Sequence, residues 1–416
     1  MFSRLDAIVR KTPIAARSFV AACAFLAIVP TANAQSWTEA EVASRTRAGA
    51  PLVLAARAHA ARAEARLRGA GLPENPFLDW ERQEAFAPNA QSQDVVRLHV
   101  PLDLSGRRRT ERLLAELAGA DANAEAARVG LELVADALSH FYRALAVERR
   151  LAILRQGQES LDQAERVLAR RQNAGDASGY ERSRLALERE LARGQLEETA
   201  AAQAILLAEL AARVGAREAP ASVHGTFDVP APASLDTLLT QAQAQHPVLR
   251  EVEARRAVAQ RAERAARSAW VPPLEIFGGY NVQTGPRTGR GYAVGLVLDV
   301  PVFDRGQGAQ ARASAELAPR ADYENALAWS LRSMVAAART RLMAARRERD
   351  RFSAAADHHA DVLLRAAAAG YREGERSLVE LLDARRAALE VAHRKLALDV
   401  ATRLADIELR RATGDL

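Results

Sequence analysis

The chain has 416 residues, of which 49% are hydrophobic, 26% are charged and only 5% are aromatic. A composition rich in alanine and charge and poor in aromatic residues is typical of long helices in coiled-coil contact. The formal net charge is +6, but arginine alternates with glutamate at helical spacing, as in the run from Arg182 to Arg193. This pattern indicates solvated helix faces with weak ion pairs, and it does not indicate a nucleic-acid partner.

The first 34 residues have the pattern of a cleavable signal peptide. Basic residues precede an apolar run from Phe19 to Val29, and Ala32-Asn33-Ala34 resembles a cleavage site. We therefore expect an exported chain that begins at Gln35. Cys23, the only cysteine, lies inside the apolar run; a lipid anchor there is the alternative, although the apolar stretch follows this cysteine instead of preceding it. The mature chain is expected to lack disulfides and cysteine-based metal sites, and no later segment has about 18 uninterrupted apolar residues.

The sequence repeats itself at a register of about 200 residues. Pro101-Leu102-Asp103 recurs as Pro301-Val302-Phe303, and Gly106 recurs as Gly306. Gly175 returns as Gly374, one residue out of step. A long period that occurs twice indicates one large unit that was duplicated and fused.

Each half shows the same order of predicted elements. The first half (residues 35–215) has a helix from Ser36 to Arg68, two strands and a helical hairpin that turns at Gly175. The second half (residues 234–416) follows a proline-containing linker (216–233) and repeats this order, with a helix over 234–268. The predicted strands are 77–86, 93–104, 274–282 and 292–303, and the predicted hairpins are 107–214 and 307–412.

Three local patterns refine this prediction. Leu131, Val134, Leu138, Phe141 and Leu145 follow a heptad spacing, and so do Leu331, Val335, Ala338 and Leu342. Gly119 and Pro319 occupy the same repeat position and both weaken a helix, which predicts a bend in each half. Gly289-Arg290-Gly291 lacks a βαβ context and is interpreted as part of the hairpin turn over 285–291.

The strands have about the length that crosses an outer membrane when tilted. Four strands in one chain would leave open edges in hydrocarbon, so closure requires several copies. Three chains would supply twelve strands, and hairpins of about 100 Å would continue below the membrane as a tube. The predicted architecture is a mainly α protein with a small membrane β part, and its predicted function is that of a conduit.

These features resemble the TolC-type outer-membrane factors of tripartite efflux pumps, over essentially the whole mature chain. The closest likeness is to the CzcC-like branch, whose members belong to cobalt-zinc-cadmium efflux systems. The resemblance rests on the segments after the two strand pairs and on the end of the second hairpin: residues 101–108, 300–308 and 370–374, and the run Ser377-Leu378-Val379-Glu380-Leu381-Leu382-Asp383-Ala384.

The resemblance implies roles for residues at the hairpin ends. Glu380 and Asp383 match acidic rings at the periplasmic mouth, and their i, i+3 spacing allows both carboxylates to share one helix face. Tyr371 and Arg376 match positions that hold the mouth shut, with Glu181 as the acidic partner. The turns that would dock an adaptor contain Gly175, Ser178, Gly374 and Ser377.

One further cluster invites a metal hypothesis. Asp357, His358, His359 and Asp361 are close in sequence, but adjacent histidines on a helix point about 100° apart. We therefore interpret the cluster as a solvated helix face. The sequence contains no arrangement of residues that predicts catalysis, and we expect neither an enzyme nor a bound cofactor.

The sequence thus predicts a homotrimeric channel in outer-membrane lipid, with its helices in the periplasm. It would receive heavy-metal cations from an inner-membrane pump of the RND type through a periplasmic adaptor. Export of drugs or secreted peptides through the same architecture is one alternative. A periplasmic coiled-coil adaptor or scaffold is another, and a periplasmic hydrolase is a third.

Overall fold

The computed structural model describes residues 36–86, 91–173, 178–268, 270–300, 302–315 and 320–416. The first half contains β1 Ser36–Thr38, α1 Glu39–Gly49, α2 Pro51–Gly69, β2 Phe77–Glu84, β3 Ser92–Leu102, α3 Arg107–Asn173 and α4 Gly179–Val214. The second half contains β4 Ser222–His224, α5 Leu235–Gln245, α6 Pro247–Ala266, β5 Leu274–Thr284, β6 Gly289–Leu298, α7 Gln307–Ala315, α8 Arg320–Glu373 and α9 Leu378–Thr413. The predicted signal peptide and Gly175 lie outside the described residues.

The two predicted N-terminal helices are each divided by a proline. Pro51 and Pro247 are the first residues of α2 and α6, and the preceding Ala50 and His246 have extended backbones. Proline lacks the N–H that a continuing helix needs, but it suits the first helical turn. The expectation of one uninterrupted helix in each half was therefore wrong.

A short parallel strand pair joins the start of the described chain to the segment between the two halves. Ser36 aligns with Ser222, and Thr38 aligns with His224. The predicted linker over 216–233 thus contains a strand that sequence analysis did not anticipate. Trp37 and Val223 are buried there, at 3% exposure each, so the pair anchors the linker to the helical core.

The other four strands of the described residues form one antiparallel sheet in the order β2-β3-β5-β6. The two halves of the chain meet at β3 and β5, where Leu98 aligns with Gly278. Gly289 and Gly291 align with Gln283 and Asn281 inside the β5–β6 ladder. The interpretation of Gly289-Arg290-Gly291 as part of the turn was therefore wrong, and β6 ends at Leu298 instead of at residue 303.

The helices pack along their heptad positions. Val134, Leu138 and Phe141 lie at 0–1% exposure in a cluster shared by α1, α3, α4 and α9, and Leu331, Val335, Ala338 and Leu342 lie in a second cluster. The heptad predictions are confirmed. Helix α3 runs without interruption through Gly119, and Pro319 lies outside the described residues, so the pair of bends remains a prediction.

Capping boxes fix the start of both returning helices. Ser178 and Ser377 each accept a hydrogen bond from the third residue of α4 or α9, and Glu181 and Glu380 bond back to them. Gly374 has a φ of +83°, a left-handed conformation that favours glycine. Within the described ranges, no helix is both long enough and apolar enough to span a membrane.

Candidate functional site

The four-stranded sheet has two chemically different faces. Because side chains alternate along a strand, the register places one set of apolar residues on a single face. Its members are largely exposed, from 36% for Val100 to 86% for Tyr292. This apolar face consists of Leu78, Trp80, Val96, Leu98, Val100, Ile276, Tyr280, Tyr292, Val294, Leu296 and Leu298, together with the less exposed Leu102, Leu274 and Val282 on the same side.

The charged residues on the same side all lie at one end of the sheet. Arg82, Asp94 and Arg290 are next to the β2–β3 and β5–β6 connections, and Arg82 pairs with Glu84 at 2.6 Å. From Leu274 to Val282 the apolar stretch covers about 27 Å along the strand at ~3.4 Å per residue. An apolar band with charges at one rim is the pattern of a strand face that contacts hydrocarbon.

The opposite face, here called the polar face, carries a network of charged and aromatic side chains. Arg97 Nη1 donates to Asp79 at 2.8 Å and to Glu81 at 3.1 Å. His99 contacts the Glu275 carboxylate and stacks on Phe77 with ring centroids 4.6 Å apart. Gln83, Gln93, Asn281 and Gln283 complete the polar side chains of this face.

Glycines let the side chains of the polar face lie flat against the sheet. A Cβ atom at Gly295 would be 2.4 Å from the ring of Phe277, and one at Gly291 would be 2.7 Å from the amide of Asn281. At Gly279 a Cβ would be 2.9 Å from Cγ of Arg97. Side chains of β3 and β5 therefore lie in the space that a Cβ atom at these glycines would occupy. They lie along the sheet surface instead of projecting away from it.

At the end of the second hairpin, Glu380 and Asp383 lie on the same exposed face of α9. The Glu380 carboxylate accepts a hydrogen bond from the Ser377 N–H at 2.8 Å and pairs with Arg376 at 3.4 Å. The Ser377 hydrogen bonds and the Arg376 charge lower the pKa of Glu380, so this carboxylate is charged at neutral pH. Both acidic side chains are exposed in the single chain, and their role in a ring at the channel mouth remains a prediction.

The predicted latch residues are only partly brought together. Tyr371 is 1% exposed, and the Arg171 guanidinium lies 5.4 Å above its ring. Burial raises the pKa of Tyr371, and the negative charge of Glu181 raises it further. Arg376, however, pairs with Glu380 and not with Glu181 within the single chain. An Arg376–Glu181 bond therefore remains a proposal for contacts between chains.

A buried ion-pair cluster, which sequence analysis missed, links the two hairpins near their ends. Glu188 of α4 accepts hydrogen bonds from Arg386 at 2.6 Å and from Arg385 at 3.4 Å. Arg385 also donates to the Gly157 carbonyl of α3 at 3.4 Å. The side chains of Glu188 and Arg385 are only 9% and 6% exposed. The hydrogen bond from Arg386, more than any other contact, lowers the pKa of Glu188.

The sequence contained a signal for this cluster. Glu188 follows the buried Leu185 by three residues, and Arg385 follows the buried Leu381 by four. Both charges therefore occupy positions on the apolar stripe of their helix. Opposite charges on two such stripes indicate an ion pair between the hairpins, although only the fold shows that the stripes face each other.

A second missed network ties α1 to α3 and α9. The Tyr142 hydroxyl donates to Glu39 at 2.5 Å, and Arg403 and Arg410 each donate to the same carboxylate at 2.6 Å. Burial alone would raise the pKa of Glu39, but the hydrogen bonds of Tyr142 and Arg410 and the charge of Arg403 lower it. The Arg403 guanidinium also lies 4.7 Å above the Tyr142 ring.

The Asp357–Asp361 segment is engaged in ion pairs. Asp357 pairs with Lys395, and Asp361 pairs with Arg365 at 2.6 Å. The rings of His358 and His359 are 5.8 Å apart and tilted by 61°. In the part of the chain that the structure describes, no three histidine, cysteine or acidic residues are placed to hold a metal ion.

Comparisons with known proteins agree with this geometry. The family model described as outer membrane efflux protein matches residues 238–415, which is most of the second half. No curated protein sequence matches the chain.

Solved structures match over nearly the whole chain. A membrane protein from Pseudomonas aeruginosa has a TM-score of 0.68 at 19% identity, with 90% of this chain and 93% of that chain covered. CusC has a TM-score of 0.69 at 16% identity, with coverage of 90% and 92%. The outer membrane protein VceC from Vibrio cholerae has a TM-score of 0.68 at 16% identity, with coverage of 90% and 96%.

The shared fold is that of the TolC-type outer-membrane channels, mainly helical with a small strand part. Together with the family match, it confirms the resemblance of this chain to the outer membrane efflux proteins. The CzcC-like branch is not singled out by these matches.

Proposed function

We propose that three copies of this chain form a passive outer-membrane channel of a tripartite efflux system. The observation that carries the proposal is a four-stranded sheet with one apolar face, joined directly to helices of up to 67 residues. At ~1.5 Å per residue, α3 alone is about 100 Å long. A membrane sheet that continues into such helices suits a conduit from periplasm to exterior. The proposed role is transport, not catalysis.

The sheet edges support assembly. β2 and β6 are the outer strands of the described sheet, and each has one unpaired edge. Unpaired backbone groups are costly in hydrocarbon, so the edges must be satisfied by other copies. Pairing of β6 with β2 of the next copy closes the cylinder when three chains supply twelve strands.

The proposed partners are a periplasmic adaptor and an inner-membrane pump of the RND type. The hairpin ends at Ser178 and Gly374–Ser377 are the proposed docking sites for the adaptor, and Gly175 belongs to the same proposal. Ser178 and Ser377 stand in matching capping boxes, which give α4 and α9 the same N-cap geometry. Two similar helix starts in each chain favour an adaptor that binds in several equivalent copies around the tube.

The proposed cargo is heavy-metal cations. Its support is the exposed carboxylate pair Glu380 and Asp383, because three copies would place six carboxylates around one mouth, and rings of carboxylates favour cations. Export of drugs or secreted peptides is the alternative cargo. A deletion strain that becomes sensitive to zinc, cobalt and cadmium supports metals, whereas sensitivity to a drug panel alone supports the alternative.

The test of the channel itself is assembly and pore formation. Purified protein is expected to cross-link as a trimer and to form pores in planar bilayers, and cell fractionation should recover it with the outer membrane. Monomeric, pore-free protein recovered from the soluble periplasm would favour the coiled-coil scaffold and would end this proposal.

Neutralising the mouth carboxylates is expected to weaken cation selectivity. The Glu380→Gln, Asp383→Asn double variant removes both charges but preserves an acceptor for the Ser377 hydrogen bond. We expect the potassium-over-chloride permeability ratio to fall by about twofold or more, because the ring then lacks fixed charge. Reversal potentials across a salt gradient measure this ratio. Glu198→Ala, an exposed site on α4, is the control, and an unchanged ratio in the double variant argues against the ring.

Removing Arg376 is expected to open the mouth. Arg376→Ser breaks the pair with Glu380 and removes the side chain that packs on Gly370, where a Cβ would lie 2.8 Å from Arg376 Cγ. We expect a higher single-channel conductance and greater entry of large antibiotics. Arg372→Ser is the control, since Arg372 is exposed and, among the described residues, bonds only the Ala368 carbonyl of its own helix. If Arg376→Ser and Arg372→Ser have the same conductance, Arg376 does not help to hold the mouth shut.

A further inference from the structure

The polar face of the sheet has an excess of acidic side chains at a level far from the hairpin ends. Its charged residues are Asp79, Glu81, Arg97 and Glu275. We propose that this face is a second selectivity section of the channel, which favours hydrated cations inside the strand part. The proposal deepens the proposed function and rests on it.

The strand register fixes which way these residues point. Asp79 aligns with Arg97 and Glu81 with Val95, while Leu78 and Trp80 between them belong to the apolar face. Glu275 likewise lies between Leu274 and Ile276 of the apolar face. If the apolar face borders lipid, the four charged residues necessarily border the lumen.

The charges of the network do not cancel. Arg97 contacts both Asp79 and Glu81 and compensates one of the two carboxylates. Glu275 contacts the ring of His99. With histidine taken as uncharged, as in the formal net charge of the chain, three carboxylates and one guanidinium give the polar face of each chain a formal charge of −2, and the trimer carries three such faces.

This section discriminates by the sign of the charge, not by the identity of the ion. Phe277, Asn281 and Arg97 lie flat over glycines, so these three large side chains do not project into the lumen to replace the water shell of an ion. The fixed charges act through solvent over a Debye length of ~10 Å at 0.1 M salt and ~30 Å at 0.01 M. We therefore expect cation preference to increase as salt is lowered.

A pair of adjacent substitutions tests the proposal. Gln283 lies on the polar face and Thr284 on the opposite face, and both are exposed near the β5–β6 connection. Gln283→Lys halves the net charge of the polar face, whereas Thr284→Lys adds the same charge outside the lumen. In planar bilayers at ~0.01 M salt, where screening is weak, Gln283→Lys should lower the potassium-over-chloride permeability ratio by about twofold and Thr284→Lys should leave it unchanged.

Glu275→Gln provides a second variant, since it removes a native charge and keeps an acceptor for His99. It should lower the ratio as Gln283→Lys does, and the mouth double variant at 380 and 383 should retain a measurable cation preference. Equal ratios for Gln283→Lys, Thr284→Lys and the unaltered channel would overturn the inference, as would complete loss of cation preference in the mouth variant. In either case the channel still conducts, whereas failure of the unaltered protein to form pores would refute the proposed function instead.

Discussion

Glu188→Ala is expected to lower the free energy of unfolding by about 3–5 kcal/mol, the usual effect of removing one partner from a buried ion pair. The variant leaves Arg385 buried at 5% exposure, and the Gly157 carbonyl is then its one remaining hydrogen-bond partner among the residues that the structure describes. It also frees Arg386, which loses two hydrogen bonds to the same carboxylate. Chemical denaturation of the detergent-solubilised protein, followed by circular dichroism, measures the change.

A matched control lies two residues away. Glu190 is on the same helix but exposed, and Glu190→Ala should change the stability by less than about 0.5 kcal/mol. The pKa of Glu188 is lowered from the ordinary value of 4.5, so its contribution is present above that pH and is lost as the pH falls through the folded-state pKa. The stability difference between Glu188→Ala and the unaltered protein should therefore shrink in acid. A difference that persists at the lowest pH would show that lost packing, not lost charge, causes the effect.

Glu39→Ala is expected to lower the free energy of unfolding by about 3 kcal/mol, because hydrogen bonds to charged groups contribute ~1.5–3 kcal/mol each. The carboxylate receives bonds from Tyr142, Arg403 and Arg410, so one substitution removes three contacts. Arg403 still pairs with Asp406 at 3.2 Å, and this remaining ion pair limits the decrease in the free energy of unfolding. The midpoint of thermal unfolding should fall accordingly.

Glu64→Ala is the control for this network. Within the described ranges Glu64 pairs only with Arg68, on the same exposed face of α2, at 3.0 Å, and such surface pairs contribute ~0–1 kcal/mol. Phe in place of Tyr142 removes one of the three bonds and should have an intermediate effect. If Glu39→Ala and Glu64→Ala destabilise equally, α1 is held by apolar packing and not by this network.

The sequence predicted what depends on local periodicity. The heptad residues around Phe141 and Val335 are buried as expected, because a 3.5-residue spacing forms one apolar stripe wherever the helix lies. The strand pairs were found from alternation and length, although their ends were shifted. The glycines of β6 were misinterpreted as a turn because their role is non-local: Gly291 and Gly295 accommodate Asn281 and Phe277 of the neighbouring strand.

Other features depend on contacts between distant segments. The β1–β4 pair has three residues in each strand and joins positions 186 residues apart, and such short strands lack a periodic signal. Glu39 and Arg403 are separated by 364 positions, so only the fold reveals their network. At the end of the second hairpin, resemblance supplied Arg376 and Glu181 as partners, but the single chain pairs Arg376 with Glu380, because a side chain one turn away is the nearest acceptor.

The Glu188 cluster breaks the symmetry of the duplication. At the 199-residue offset that relates Gly175 to Gly374, Glu188 corresponds to Ala387 and Arg385 to Ala186. In a ring of six hairpins, contacts within one chain would then carry a buried ion pair, and contacts between neighbouring chains would lack it. Dilation of such a ring should begin at the three subunit boundaries, and the two hairpins of each chain should move together as one rigid body.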